Sequence, residues 1–192
     1  MRLFVALDIP DGVRRAIGEM IARLRDVAQG ARWVRAEGVH VTLKFIGEMP
    51  AERVASIKQA LRGARGAGVV APVEAKFRGA GFFPNERHPR VFWAGVESSP
   101  NLAELAREVD ARLSSLGIAA ETREFRPHLT LARFKSEDGL PRLREEIKKL
   151  EPFDFGSMQA SEFHLFQSLL GAGGAKYTKL ATFPFGSLRG DA

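Results

Sequence analysis

Val39-His40-Val41-Thr42-Leu43-Lys44-Phe45-Ile46 decides how this chain is read, because its core, His40-Val41-Thr42-Leu43, returns 88 residues later as His128-Leu129-Thr130-Leu131. Two of the four histidines in 192 residues therefore share one grammar, His-x-Thr-Leu. On average residue usage such a pair would arise by chance in roughly one chain in ten thousand. Side chains alternate along an extended strand, so in each copy His and Thr face one side while the two apolar residues face the other. The apolar pair ties the strand to a core, and the imidazole and hydroxyl stand together on the opposite face. Two such faces turned toward each other line a cleft.

Outward from the motifs, the pattern predicts a strand over residues 2–8 and a helix opened by Pro10-Asp11 that carries Val13, Ile17, Ile21 and Leu24 on one face. Strands at Trp33-Val34 and at Val39 to Ile46 follow, the second closed by Gly47. Pro50 introduces a helix through Val54, Ile57 and Leu61 that ends in Gly63, Gly66 and Gly68. A strand over residues 69–77 leads into a loop marked by Gly79, Gly81, Pro84, Asn85 and Pro89, then a strand over residues 91–96. Pro100-Asn101 leads a helix through Leu102, Leu105, Val109 and Leu113, stopped by Gly117. The second motif strand lies within residues 125–134, and Gly139-Leu140-Pro141 starts a short helix through Leu143, Ile147 and Leu150. Late strands near residues 157–169 and 177–183 flank a glycine loop, Gly171-Ala172-Gly173-Gly174. Adjacent strand pairs mixed with strand-helix alternation give an α+β fold, not a doubly wound parallel sheet. No linker interrupts residues 1–192, so one domain of two lobes, with one motif in each, is expected.

Composition narrows the chemistry. With 45% hydrophobic residues the chain can bury a substantial core, and with no cysteine it has no disulfide, thiolate zinc site or cysteine nucleophile. That usage fits a reducing cytoplasm. MRLFVALDIP is apolar but short and leads straight into a charged helix, unlike a signal peptide, and no apolar run approaches the roughly 20 residues of a membrane span. An excess of 29 basic over 23 acidic residues, +6, permits a polyanionic partner such as RNA, though solvated helix faces explain it equally well. Nothing calls for an obligate protein partner or a membrane.

Two imidazoles across a reacting group can serve as acid and base near neutrality, the logic of phosphodiester cleavage without a metal. His40 and His128 are therefore the candidate catalytic pair, with Thr42 and Thr130 as hydroxyl donors to phosphoryl oxygens. Arg133 would add a permanent charge with bidentate geometry, but strict alternation puts it opposite His128, so its participation requires a bulge, a strand end or a long reach. Lys44 falls by alternation on the face of His40 and Thr42, and Phe45, at the position matching Arg133, is either core or a stacking surface for a base. Arg35 and Arg126 are further candidates to guide an RNA backbone, and Tyr177 and Ser168 lie where late strands reach toward the cleft. His88 and His164 match neither copy and read as structural. The motifs lack the close His and carboxylate spacing of a zinc site, so no metal is assigned.

HVTLKFIGE and FRPHLTLARF resemble the paired signatures of the 2H phosphoesterase superfamily, and most of all the bacterial and archaeal RNA 2',3'-cyclic phosphodiesterases, also described as 2'-5' RNA ligases. The likeness extends over nearly the whole chain, from RLFVALDIP through Arg32-Trp33-Val34 to Phe166-Gln167-Ser168. The resemblance implies a bilobal α+β domain with pseudo-two-fold symmetry, antiparallel-rich sheets lining a central cleft, and helices outside. It implies that His40 and His128 are catalytic, that Thr42, Thr130 and Arg133 hold phosphate, and that no cofactor takes part. The implied reaction opens an RNA 2',3'-cyclic phosphate end to a 2'-phosphate, with His128 taken as base and His40 as acid, and the same residues are open to reversible 2'-5' RNA ligation. Two other readings stay open on sequence: a non-catalytic module that holds RNA ends, and a cyclic phosphodiesterase acting on a small nucleotide.

Overall fold

The structure, a computed structural model, describes residues 1–64, 71–171 and 174–185. In chain order its elements are β1 (Arg2–Leu7), α1 (Asp11–Arg25), β2 (Arg32–Trp33), a 3-10 turn (Ala36–Gly38), β3 (Val41–Glu48), α2 (Arg53–Gly63), β4 (Val73–Phe83), β5 (Val91–Ser98), α3 (Asn101–Ser114), β6 (His128–Arg133), α4 (Leu140–Leu150), β7 (Asp154–Ala160), β8 (Glu162–Gly171) and β9 (Gly174–Pro184). Strand, helix, motif strand and helix occur twice in that order, as β1-α1-β3-α2 and as β5-α3-β6-α4. The two units build separate antiparallel sheets, β3-β1-β8-β9 and β2-β6-β5-β4-β7. Each motif strand thus lies beside the first strand of its own unit, as pseudo-two-fold symmetry requires.

The helices form because their apolar residues repeat on one face, and they bury that face: Val13, Ile17, Met20, Ile21 and Leu24 on α1, and Leu102, Leu105, Ala106, Val109 and Leu113 on α3. One continuous core joins the lobes, reaching from Leu3 and Val5 of the first sheet to Phe77 and Phe92 of the second. Chain connectivity reinforces this union. β4 follows the first unit but pairs with β5 of the second sheet, and β8 crosses back to pair with β1.

Three expectations need correction. The stretch around Gly79 and Gly81 is not a loop, because β4 runs through to Phe83 with an irregularity between Phe77 and Ala80. Gly79 takes a φ of 66° at that irregularity, and a Cβ at Gly81 would run into the Trp93 indole. Gly47 does not close its strand; with a φ of 89° it sits inside β3, which continues to Glu48. The single strand expected over residues 157–169 is two strands in different sheets, since β7 ends at Ala160 and β8 begins at Glu162. The apolar phase shifts at the junction, from Met158 and Ala160 to Phe163 and Leu165, a break that the reading as one strand passed over. Of the expected helix-ending glycines Gly66 and Gly68, and of the glycine loop residues Ala172 and Gly173, all lie outside the described residues.

Crossing strands and a shared core should make both lobes unfold together. Both tryptophans, Trp33 and Trp93, sit in the second sheet, so their fluorescence follows that lobe alone, while far-ultraviolet circular dichroism follows both. The two signals are expected to trace one urea transition, and Leu105→Ala, at a fully buried site on α3, should move both curves down together by about 2–5 kcal/mol. Two separate transitions would contradict the account.

Candidate active site

In each motif strand, the pairing with the neighbouring strand slips by one residue at the leucine of His-x-Thr-Leu. Opposite β1, Thr42 pairs with Ala6 and Lys44 with Val5, so Leu43 is the extra residue. Opposite β5, Thr130 pairs with Trp93 and Ala132 with Phe92, so Leu131 is the extra residue. An extra residue reverses the alternation beyond it. The fourth residue after each histidine therefore turns into the core, and the fifth turns to the side of the histidine and threonine. Lys44 and Ala132 are buried, whereas Phe45 is 59% exposed and Arg133 is exposed. Arg133 thus gains its place through the bulge that strict alternation lacked.

The same bulge overturns the expectation for Lys44, which does not share the face of His40 and Thr42. Its ammonium donates to the Asp110 carboxylate of α3 and, at 2.6 Å, to the carbonyl of Ala119. Arg126 likewise turns its guanidinium away, to Glu124 at 3.0 Å. His88 pairs with Glu137 on the surface, and buried His164 bonds Thr182 at 3.0 Å, both consistent with structural roles.

The two catalytic candidates are held alike. His40 Nδ1 lies 2.8 Å from the carbonyl of Gly38, and His128 Nδ1 lies 2.7 Å from the carbonyl of Arg126. A carbonyl only accepts, so each Nδ1 carries hydrogen and each Nε2 is left as the nitrogen that can take or give a proton. Burial pushes the His40 imidazole down to about 4, with Arg14 and His128 adding smaller effects in the same direction. Burial, then the charge of Arg133, lowers His128 as well.

Aromatic rings supply the dry surroundings. His40 stacks on Phe4 with centroids 4.6 Å apart, and Tyr177 meets it edge-on at 5.2 Å. His128 meets Phe83 edge-on at 5.1 Å. Between the lobes lies a cleft of about 660 Å³ whose walls include His40, Thr42, Phe45, Thr130 and Arg133. The Thr42 and Thr130 hydroxyls bond no other described residue, which leaves both free to donate to a ligand. Four more arginines, Arg2, Arg25, Arg32 and Arg35, share these walls, and no described carboxylate does. None of the five arginines forms an ion pair with another described residue. Arg35, Ser168 and Tyr177 thus lie where the sequence suggested. Arg2, Arg25 and Arg32 went unrecognised because arginines spread over β1, α1 and β2 carry no local signal of convergence. Among the described residues no three His, Asp or Glu side chains gather closely enough to hold a metal ion.

Two sheets that each carry a His and Thr pair, with His40, Thr42 and Thr130 in the walls of an arginine-lined cleft and His128 two residues before Thr130 on β6, define a two-lobed phosphate-handling protein. Residues 10–171 match the model of the 2'-5' RNA ligase superfamily. The RNA 2',3'-cyclic phosphodiesterase of Methanocaldococcus jannaschii is 34% identical over 177 residues, covering 92% of this chain and 96% of that protein. The Thermus thermophilus protein of the same name is 36% identical over 198 residues, covering 100% and 92%. Among solved structures, one from Thermus thermophilus superimposes with a TM-score of 0.79 at 35% identity over 98% of this chain and 100% of that one. Escherichia coli LigT complexed with 3'-AMP superimposes with a TM-score of 0.75 at 28% identity, over 96% and 97%. The chain belongs to the 2'-5' RNA ligase superfamily, the 2H phosphoesterases.

The bulges separate residues that serve the cleft from residues that serve stability. Lys44→Met should cost on the order of 3 kcal/mol in chemical denaturation, by leaving Asp110 without its partner, while KM stays close to wild type. Phe45→Ala and Arg133→Ala should do the reverse, raising KM at nearly unchanged stability. A Lys44 variant with full stability and a raised KM would show that the residue serves the cleft.

Proposed function

We propose that the protein hydrolyses RNA 2',3'-cyclic phosphate ends to 2'-phosphates without a metal cofactor, using His40 and His128 as its acid and base. The observation that carries this reading is the matched pair of imidazoles, each with Nδ1 tied to a carbonyl and Nε2 left for proton transfer. The relatives named as RNA 2',3'-cyclic phosphodiesterases support the same reaction.

In the proposed reaction the neutral His128 takes a proton from water as its oxygen attacks phosphorus. The bond from phosphorus to O3' breaks, and protonated His40 delivers its proton to the departing O3'. The products are a 2'-phosphomonoester and a 3'-hydroxyl. Thr42, Thr130 and Arg133 bind the phosphoryl oxygens where negative charge accumulates. A 5'-hydroxyl of RNA in place of water gives 2'-5' joining through the same groups. Phe45 offers an exposed ring on which a base can stack, and the unpaired arginines favour RNA over a mononucleotide because one reacting phosphate occupies few of them. A chain without cysteine suits the cytoplasm, where this chemistry on RNA belongs.

A defined oligoribonucleotide ending in a 2',3'-cyclic phosphate tests the proposal. In the presence of EDTA the product is expected to be a 2'-phosphate, and His40→Ala and His128→Ala should each lower kcat by about 10²–10⁴-fold. A 3'-phosphate product, full inactivation by chelator, or near-native variants would each overturn it. The oligonucleotide should show a higher kcat/KM and a steeper salt dependence than a cyclic mononucleotide; equal values would favour a small-nucleotide substrate. RNA binding without turnover that survives both substitutions would favour a binding module.

The pH dependence follows from the two lowered imidazoles. One must be neutral and the other charged, so the kcat/KM profile of the free protein should be a bell lying below the ordinary histidine value of 6.5, falling on its alkaline side as the imidazolium is lost. A bound phosphate anion raises both imidazoles, so the kcat profile should lie at higher pH. Coincident profiles would show that the phosphate does not sit between them.

A further inference from the structure

Arg14 is the most heavily engaged side chain near the cleft, yet it touches none of the cleft's walls. From α1 its Nη1 lies 3.2 Å from the carbonyl of Ala36, 3.1 Å from that of Glu37 and 3.4 Å from that of Val39. Its Nη2 donates at 2.7 Å to the Asp8 carboxylate and at 3.0 Å to the carbonyl of Ile9. The carbonyls of residues 36, 37 and 39 are thereby drawn toward the helix. Gly38, between them, is the one whose carbonyl turns the other way, to accept from His40 Nδ1.

Two further contacts close on this 3-10 turn. Gly18 of α1 lies against Ala36, where a Cβ would stand 3.2 Å from the Ala36 methyl, and the Tyr177 ring lies so close to Gly38 that a Cβ there would stand 2.9 Å from a ring carbon. The turn is thus held by a guanidinium, a helix backbone and an aromatic ring. The second motif has no counterpart to Arg14 among the described residues. The segment before His128 is fixed several residues upstream, where Lys44 donates to Ala119 and the Asp110 carboxylate accepts from the Glu121 amide.

We infer that Arg14 is a positioning residue for His40: by gathering the carbonyls of Ala36, Glu37 and Val39 it aims the Gly38 carbonyl at Nδ1, and so fixes the tautomer and direction of the first catalytic imidazole. Catalytic groups lose rate steeply when displaced by an ångström, so a clamp of this kind acts on kcat and leaves ground-state binding largely alone. A planar fork that reaches several carbonyls at once is not reproduced by an ammonium. The inference rests on the proposed catalytic role of His40, but the orientation of its ring can be read without any turnover.

The test is long-range proton–nitrogen-15 NMR of the histidines in the full-length protein, together with kcat and KM on the cyclic-phosphate oligonucleotide, for wild type, Arg14→Gln and Arg14→Lys. In Arg14→Gln, His40 should lose its uniform Nδ1–H tautomer and titrate at higher pH, since a nearby positive charge is gone while Asp8, still paired with Lys179 at 2.7 Å, remains. His128 should keep its spectrum. kcat should fall by about ten- to a hundredfold with KM within about twofold. Arg14→Lys, which preserves the charge beside Asp8, should show the same tautomer mixing and most of the kcat loss. If Arg14→Gln does not fold, the lysine variant alone decides. An unchanged His40 tautomer with unchanged kcat in a folded variant overturns the inference, as does equal disturbance of His40 and His128. If wild type does not hydrolyse the oligonucleotide, the proposed function fails while the NMR comparison still decides the role of Arg14.

Discussion

The extra residue that each motif strand carries at its leucine, Leu43 in β3 and Leu131 in β6, is the constraint on which the rest of the cleft depends. An unbroken strand would place His and Thr on the cleft side and then send the next cleft-facing position to the fourth residue after the histidine. The bulge delivers the fifth instead, which is why Arg133 and Phe45 both stand in the wall of the cleft. It also sends Lys44 inward, where its ammonium ties the first motif strand to Asp110 and to the segment that leads toward His128. One backbone irregularity used twice thus sets both the equipment of the site and a link between the lobes.

Around that frame the electrostatics are one-sided. Five arginines without described ion-pair partners line a cleft that has no described carboxylate, and the two imidazoles, His40 in its wall and His128 two residues before Thr130 on β6, are held below their ordinary titration range, chiefly by burial. A site of this kind is poised for an anion. In the proposed reaction the substrate phosphate would supply the negative charge the walls lack and favour the protonated imidazole needed for leaving-group protonation. Under that proposal, lowered imidazoles in the free protein and an acid in the complex would be parts of a single cycle. The helices and crossing strands behind the cleft keep the two lobes in one core, so the spacing between the imidazoles does not rest on contacts within the cleft alone.

Much of this was legible in the sequence because the information was local. The motif gives its own face by strand alternation, α1 and α3 declare themselves through apolar spacing, and Tyr177 and Ser168 stand on strands that could be placed. What was not legible depended on pairing partners. Alternation alone misplaced Lys44 and left Arg133 in question, because a bulge is a relation between two strands and leaves no mark in one of them. The passage from β7 to β8 left only a faint mark, the shift of apolar phase from Met158 and Ala160 to Phe163 and Leu165; that the two halves belong to different sheets shows only in their neighbours. Arg14 was unseen because its five acceptors, four carbonyls and one carboxylate, come together only after α1 has folded back over the turn.

If two oriented imidazoles address one phosphate, nitrogen-15 NMR of His40 and His128 during titration with 2'-AMP should register both. In the free protein both rings should show the Nδ1–H tautomer and titrate below their ordinary value. As the phosphate binds, both Nε2 resonances should shift together and both imidazoles should titrate at higher pH. A response confined to one ring, or to neither, would contradict the account.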